Sequence, residues 1–269
     1  MVGDLLLSLA MAVAAGLVGC VAVMRRMTLA SDAMSHVALP GIAVAILLHG
    51  NPVLGGLAAM ILGALLVWAI EHKTHIPTEA IIGVVFSAAL AIGSLLMPGQ
   101  DLVEALFGAP RAPGRLEIVL GVVGVVGVVA FLLRSGSRLV ITLVSPDLAR
   151  TAGIDVARTD LFFLLSFALT VALGLRFLGV LLMGSLVIIP AATAKSLARS
   201  LRQMQVLSVT IAVAGALLGA LVARLTGGER GPLTIAIIAV LFFVSLFLRG
   251  AGGHSAAAHA PIGTLSRRP

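Results

Sequence analysis

Leu5-Leu6-Leu7-Ser8-Leu9-Ala10-Met11-Ala12-Val13-Ala14-Ala15-Gly16-Leu17-Val18-Gly19-Cys20-Val21-Ala22-Val23-Met24 runs for twenty residues without Asp, Glu, Lys or Arg, and Arg25-Arg26 follows at once. As a helix rising about 1.5 Å per residue, such a run covers the ~30 Å hydrocarbon core of a bilayer, and the basic pair marks its return to water. The pattern recurs at Val37 to Ile70, Ala80 to Gln100, Ile118 to Leu133, Leu161 to Leu175, Phe177 to Ala194, Gln203 to Ala223 and Gly231 to Leu248. Val37 to Ile70 is long enough for two spans and contains His49-Gly50-Asn51-Pro52, a turn signature that divides it. The expectation is an all-α polytopic bundle of about eight or nine transmembrane helices. Leu161 to Leu175 and Phe177 to Ala194 share only Arg176 as a connection, so one of them reads as re-entrant.

Composition agrees. Of 269 residues, 60% are hydrophobic and 11% charged, and the mean hydropathy is +1.17. That leaves too little polar surface to coat a soluble globule. Disorder, collagen and a disulfide scaffold are excluded by the same arithmetic, since Cys20 has no second cysteine to pair with and reads as a small buried hydrophobe. The net charge of +7 does not point to nucleic acid, because the basic residues are scattered between apolar runs rather than massed on one segment. Their better use is orientation. With nine crossings starting outside, thirteen of the eighteen basic residues lie within, leaving Arg111, Arg115, Arg176, Arg224 and Arg230 outside. The positive-inside rule therefore favours an outer N-terminus and a cytoplasmic C-terminus. A cleaved signal peptide is not expected, because the basic pair follows the first apolar run instead of preceding it. Residues 1–250 read as one transmembrane domain and residues 251–269, rich in Gly, Ala, Ser, His and Pro, as a flexible cytoplasmic tail.

Against this background Asp32 and His36 stand out. Four residues apart, they share one helix face, with Ser35 beside His36 and small Ala33 leaving room for a neighbour. Counting from Arg26, Asp32 lies about 9 Å and His36 about 15 Å into the membrane. A carboxylate at such depth costs about 2.5–3.5 kcal/mol on insertion scales, so the pair must face protein, water or a cation. Two readings are open: a hydrogen bond that locks two helices, or half of a divalent-metal site, since carboxylate oxygen and imidazole nitrogen both ligate zinc and manganese. A two-fold homodimer would bring two aspartates and two histidines together on its axis. Pro40-Gly41, one turn later, is expected to break or kink the helix, as in helices that line a transport path.

Ser145-Pro146-Asp147-Leu148-Ala149-Arg150-Thr151-Ala152-Gly153 reads as a short, fully capped helix. Ser145 suits the N-cap, Pro146 the first position, Asp147 the positive end of the dipole, Arg150 the last turn and Gly153 a left-handed C-terminal cap. It serves either as a surface helix at the lipid boundary or as a cytoplasmic lever seated in a motor subunit. The chain has no Gly-x-x-x-x-Gly-Lys-Ser/Thr loop, so any ATP hydrolysis belongs to another chain, and no His-Glu-x-x-His or Gly-x-Ser-x-Gly motif speaks for an enzyme.

Taken in order, these stretches resemble the membrane permeases of zinc, manganese and iron ABC importers. Arg25-Arg26-Met27 with Ser31 through Gly41 looks like that family's second helix; Glu79 through Ser87, followed by Leu106-Phe107-Gly108, resembles its next motif. Pro146 through Ile154 is similar to its ATPase-coupling segment, and Leu186 through Ala194 to the stretch before its last inner loop. The resemblance spans residues 5–248. It implies a homodimeric pore in the bacterial inner membrane, driven by a pair of cytoplasmic ATPases and supplied by an extracytoplasmic metal-binding protein. Zinc or manganese would then be a transported substrate rather than a resident cofactor. It also implies that Asp32 and His36 are translocation-path ligands and that Pro146 through Gly153 form the coupling helix. A siderophore or cobalamin permease is the near alternative, though bulky cargo has little use for an Asp–His pair; a proton-coupled secondary transporter would need no coupling helix. Glu79 reads as N-terminal dipole stabilisation or as a residue at the inner mouth of the path, Asp101 and Glu104 as outer-loop residues or as attractors of cations or contacts for the delivery protein, and His254 and His259 as tail residues or metal contacts.

Overall fold

A computed structural model describes residues 2–28, 30–74, 76–96 and 115–257. Among them there are ten helices and no strand: α1 (Val2–Met24), α2 (Ala30–His36), α3 (Ala38–Leu47), α4 (Pro52–Lys73), α5 (Thr78–Leu96), α6 (Arg115–Val144), α7 (Pro146–Thr151), α8 (Val156–Leu197), α9 (Leu201–Thr226) and α10 (Arg230–Ala257). Eight stretches are long and apolar enough to span a membrane, α2 and α3 counting as one, and Met183–Leu197 adds a shorter apolar helix. Large apolar side chains such as Leu62, Val84, Val123 and Phe247 point outward, as lipid requires.

Local chemistry sets the ends. Asn51 caps α4, its side chain accepting from the Val53 N–H at 2.9 Å, with Pro52 at the first position. The preceding turn is closed by Gly50 N–H to Ala45 O and His49 N–H to Ile46 O, the paired bonds of a Schellman cap. Its left-handed residue is His49 (φ 52°) rather than the neighbouring glycine. α1 ends in the same way: Met27 N–H bonds Ala22 O, Arg26 N–H bonds Val23 O, and Arg26 takes φ 61°.

α8 is not a straight rod. Asp160 near its start meets Arg25 at the end of α1, and Ala191 and Ala194 near its finish pack with Cys20 and Val23 at that same end. Gly174 and Met183 touch, although nine helical residues would hold them about 13.5 Å apart. The helix therefore doubles back, with Val156–Leu175 as its first arm and Met183–Leu197 as its returning arm. The reversal falls at the junction around Arg176 where the two apolar segments meet in the sequence.

One expectation needs correction. The interruption falls at Val37, not at Pro40-Gly41, which lie inside the first turns of α3. Proline lacks the N–H that would bond the carbonyl four residues back, and its ring crowds that carbonyl, so the effect of Pro40 appears at His36–Val37. Gly41 instead lets α3 cross α4, where Gly41 and Gly55 face each other backbone to backbone and a Cβ on either would collide. α10 runs to Ala257, and residues 258–269 lie outside the described residues.

The buried core runs along α1, α2, α4, α6 and α8, with Phe163, Phe167, Met34, Met60 and Met183 among its largest side chains. α1 touches both arms of α8 and also α9, where Ser208 Oγ donates to Gly16 O at 2.8 Å. Cys20 is fully buried, its thiol directed at Met204 O at 3.6 Å.

Candidate metal path

α2 is seven residues long and carries Asp32 and His36 on one side. Its other side is built for close packing. Ser31 Oγ lies 3.3 Å from both Thr28 O and Gly184 O, and Ser35 Oγ donates to Asp32 O at 2.6 Å. Opposite, Gly184 on the returning arm of α8 sits so near that a Cβ there would come within 2.9 Å of the Asp32 Cα. One turn further along that arm, Val187 meets Gly19 of α1. Asp32 is thus held against the returning arm of α8, close to where that arm meets the C-terminal half of α1.

The two side chains face different surroundings. Asp32 is exposed on the surface of the single chain. His36 is half-buried, its ring set edge-on to Phe86 of α5 with centroids 5.3 Å apart. Its Nδ1 is buried and has no hydrogen-bond partner among the described residues, and no hydrogen bond joins it to Asp32. The helix-locking reading of the pair loses its support within one chain. A buried imidazole nitrogen without a hydrogen-bond partner has a lone pair or an N–H free for a ligand. Among the described residues, no group of three or more His, Cys, Asp or Glu side chains could hold a metal ion.

The capped helix is present as α7, six residues long. Ser145 Oγ accepts from Leu148 N–H at 3.2 Å, Asp147 pairs with Arg150 at 2.9 Å, and Gly153 takes φ 74° with Ile154 N–H bonded to Ala149 O. Ala149 is buried against the bundle, whereas Leu148 is 59% exposed. Glu79 is exposed in the first turn of α5, while Leu106-Phe107-Gly108, Asp101, Glu104 and His259 lie outside the described residues. Phe86 and Gly184, which frame the pair, carry no charge or metal-binding atom, and sequence reading passed over them as site residues.

The model of the ABC 3 transport family matches residues 1–249. The chain belongs to that family. It is 31% identical over 237 residues to the high-affinity zinc uptake system membrane protein ZnuB of Haemophilus influenzae, covering 86% of this chain and 90% of the relative. It is 29% identical over 250 residues to the manganese import system permease protein ScaB of Streptococcus gordonii, covering 91% and 89%. Among solved structures, PsaBC from Streptococcus pneumoniae in complex with Fab superposes with a TM-score of 0.76 at 26% identity over 90% of this chain and 88% of that one. The family's named relatives are permease components of metal importers, in keeping with a membrane subunit that carries no catalytic motif of its own.

Proposed function

We propose that this chain is the membrane permease subunit of an ATP-driven importer of zinc or manganese, and that two copies form the path with Asp32 and His36 of each facing a common axis. The observation that carries this reading is an exposed carboxylate one turn from a bare imidazole nitrogen, on a short helix packed against the returning arm of α8. A lone carboxylate turned toward acyl chains is unfavourable, whereas a second copy across a two-fold axis would cover it and complete a four-ligand set of oxygen and nitrogen donors. Relatives named for zinc and for manganese fit such a mixed set, which serves both ions. A site of this kind holds an ion modestly, as passage requires.

In this reading the N-terminus is extracytoplasmic and the C-terminus cytoplasmic, in a bacterial inner membrane. The reversal of α8 supports it, because its returning arm brings the eight candidate spans to nine crossings, an odd number that leaves most arginines and lysines inside. α7 docks on the cytoplasmic ATPase pair, and an extracytoplasmic binding protein delivers the ion. Asp32→Ala and His36→Ala are expected to abolish uptake of radioactive zinc or manganese into proteoliposomes holding the complete complex, with assembly by gel filtration unchanged. Uptake at the wild-type rate in both variants would overturn the site. ATP hydrolysis measured across zinc, manganese, iron and cobalt identifies the cargo as the ion that stimulates it.

A further inference from the structure

The α1–α8 contact at the cytoplasmic side is built differently from the rest of the bundle. Arg25 Nη2 donates to Asp160 Oδ1 at 2.6 Å, both side chains being nearly buried at 14% and 17% exposure. The guanidinium carbon lies 4.6 Å from the centroid of the Phe163 ring, which is fully buried. Arg25 Nε, also buried, has no hydrogen-bond partner among the described residues. A second clasp comes from α4, where Trp68 Nε1 donates to Ala157 O at 2.9 Å. Both clasps close on the opening turns of α8, and only four residues, 152–155, separate α7 from α8.

That connection has little slack. Ile154 N–H is tied back to Ala149 O, and Asp155 caps α8, its Oδ1 accepting from Arg158 N–H at 3.0 Å while its backbone O accepts from the Thr159 hydroxyl at 2.8 Å. A displacement of α7 therefore carries Asp160 with it. On the other side of the ion pair, Arg25 is the last residue before Arg26, whose left-handed backbone is a conformation that side-chain-bearing residues adopt at a cost. The chain then needs only residues 27–29 to reach α2 and Asp32. A buried ion pair that leaves one donor unsatisfied, next to a strained non-glycine hinge, is a poor choice for static cohesion, since apolar residues of the same size would hold the helices as well. It is a suitable choice where one element must pull another in a fixed direction.

We propose that Arg25, gripping Asp160, is the positioning residue that passes the movement of the ATPase-docking helix α7 to the metal-bearing helix α2. This rests on the permease reading above. When α7 shifts, Asp160 draws the Arg25 guanidinium, the backbone at Arg26 absorbs the rotation, and Asp32 moves relative to Gly184. Arg25 touches no substrate and acts only through Asp32 and His36.

The complete complex, permease with its ATPase and binding protein, is reconstituted in proteoliposomes, and metal moved per ATP hydrolysed is measured together with equilibrium zinc binding to the permease. The double change Arg25→Met with Asp160→Met keeps the packing and removes the charges, so it is expected to assemble. Metal moved per ATP should fall about tenfold, within the range of an ordinary coupling free energy, while zinc binding and basal hydrolysis stay at wild-type levels. Reversing the pair, Arg25→Asp with Asp160→Arg, should restore most of the lost coupling; Asp160→Asn serves as a milder single change that leaves an acceptor. A wild-type ratio in the assembled double variant overturns the proposal, as does failure of every variant to assemble, which would make the pair purely structural. Leu148→Asp on α7 separates the two levels: if it uncouples while the double variant does not, only the role of Arg25 falls, and if neither uncouples, the docking reading falls with it.

Discussion

Gly184 bears on the proposed site as directly as Asp32 and His36 do. Its missing side chain lets α2 lie directly on the returning arm of α8, with the Asp32 backbone in the space a methyl group would need. Gly184→Ala must push α2 outward or strain the arm, a change that costs about 1–3 kcal/mol in a tightly packed interior. The displacement acts on the residue that carries the carboxylate, so transport is expected to fall much further than stability: uptake down at least about tenfold with a Tm only a few degrees lower. Gly83, whose Cβ would meet nothing within 4 Å, is the control, and Gly83→Ala should leave both quantities unchanged. Equal losses in uptake and Tm for Gly184→Ala would mean the glycine matters for packing alone. Asp32 and His36 themselves were legible from sequence because ionisable groups stand out in an apolar run. Gly184 was not, since its function depends on which helix crosses there, and a glycine in a membrane helix is common.

Among the elements, the capped helix α7 could be read almost completely before the structure, each terminal residue being named by a local rule: Ser145 for the orphan N–H groups, Pro146 for a position with no N–H to lose, Gly153 for the left-handed exit. The interruption in the second span was legible only in part. Pro40 announced it, but the break shows at Val37, because the missing hydrogen bond belongs to the turn before the proline. The fold of α8 back upon itself was signalled by two apolar runs meeting at Arg176, while the pairing of its ends with Cys20 and Arg25 needed three-dimensional contacts. For α7 the exposed Leu148 is the informative residue. It does nothing for the bundle at 59% exposure, so Leu148→Asp should leave the fold and zinc binding intact. In a docking groove the same change buries a charge, and co-purification with the ATPase should weaken and ATP-driven uptake be lost. Retained co-purification and uptake would assign α7 to the lipid boundary.

For the whole molecule the decisive question is whether the path belongs to one copy or to two. One chain offers a carboxylate and an imidazole and, among the described residues, no third ligand nearby. If each copy conducted alone, a dimer with one crippled copy would keep about half its transport; if the ion is held between copies, removing one Asp32 and one His36 leaves two ligands of four and the site fails as a unit. Mixed dimers decide this. Wild-type permease and the Asp32→Ala, His36→Ala double variant are co-expressed with different affinity tags, and the heterodimer is isolated by two successive tag purifications before reconstitution with the ATPase and binding protein. Uptake by the heterodimer is expected to be close to that of the doubly mutated homodimer, well under half of wild type. Uptake at half the wild-type rate would show two independent paths and remove the shared axis from the mechanism, while leaving the family membership and the membrane fold where they stand.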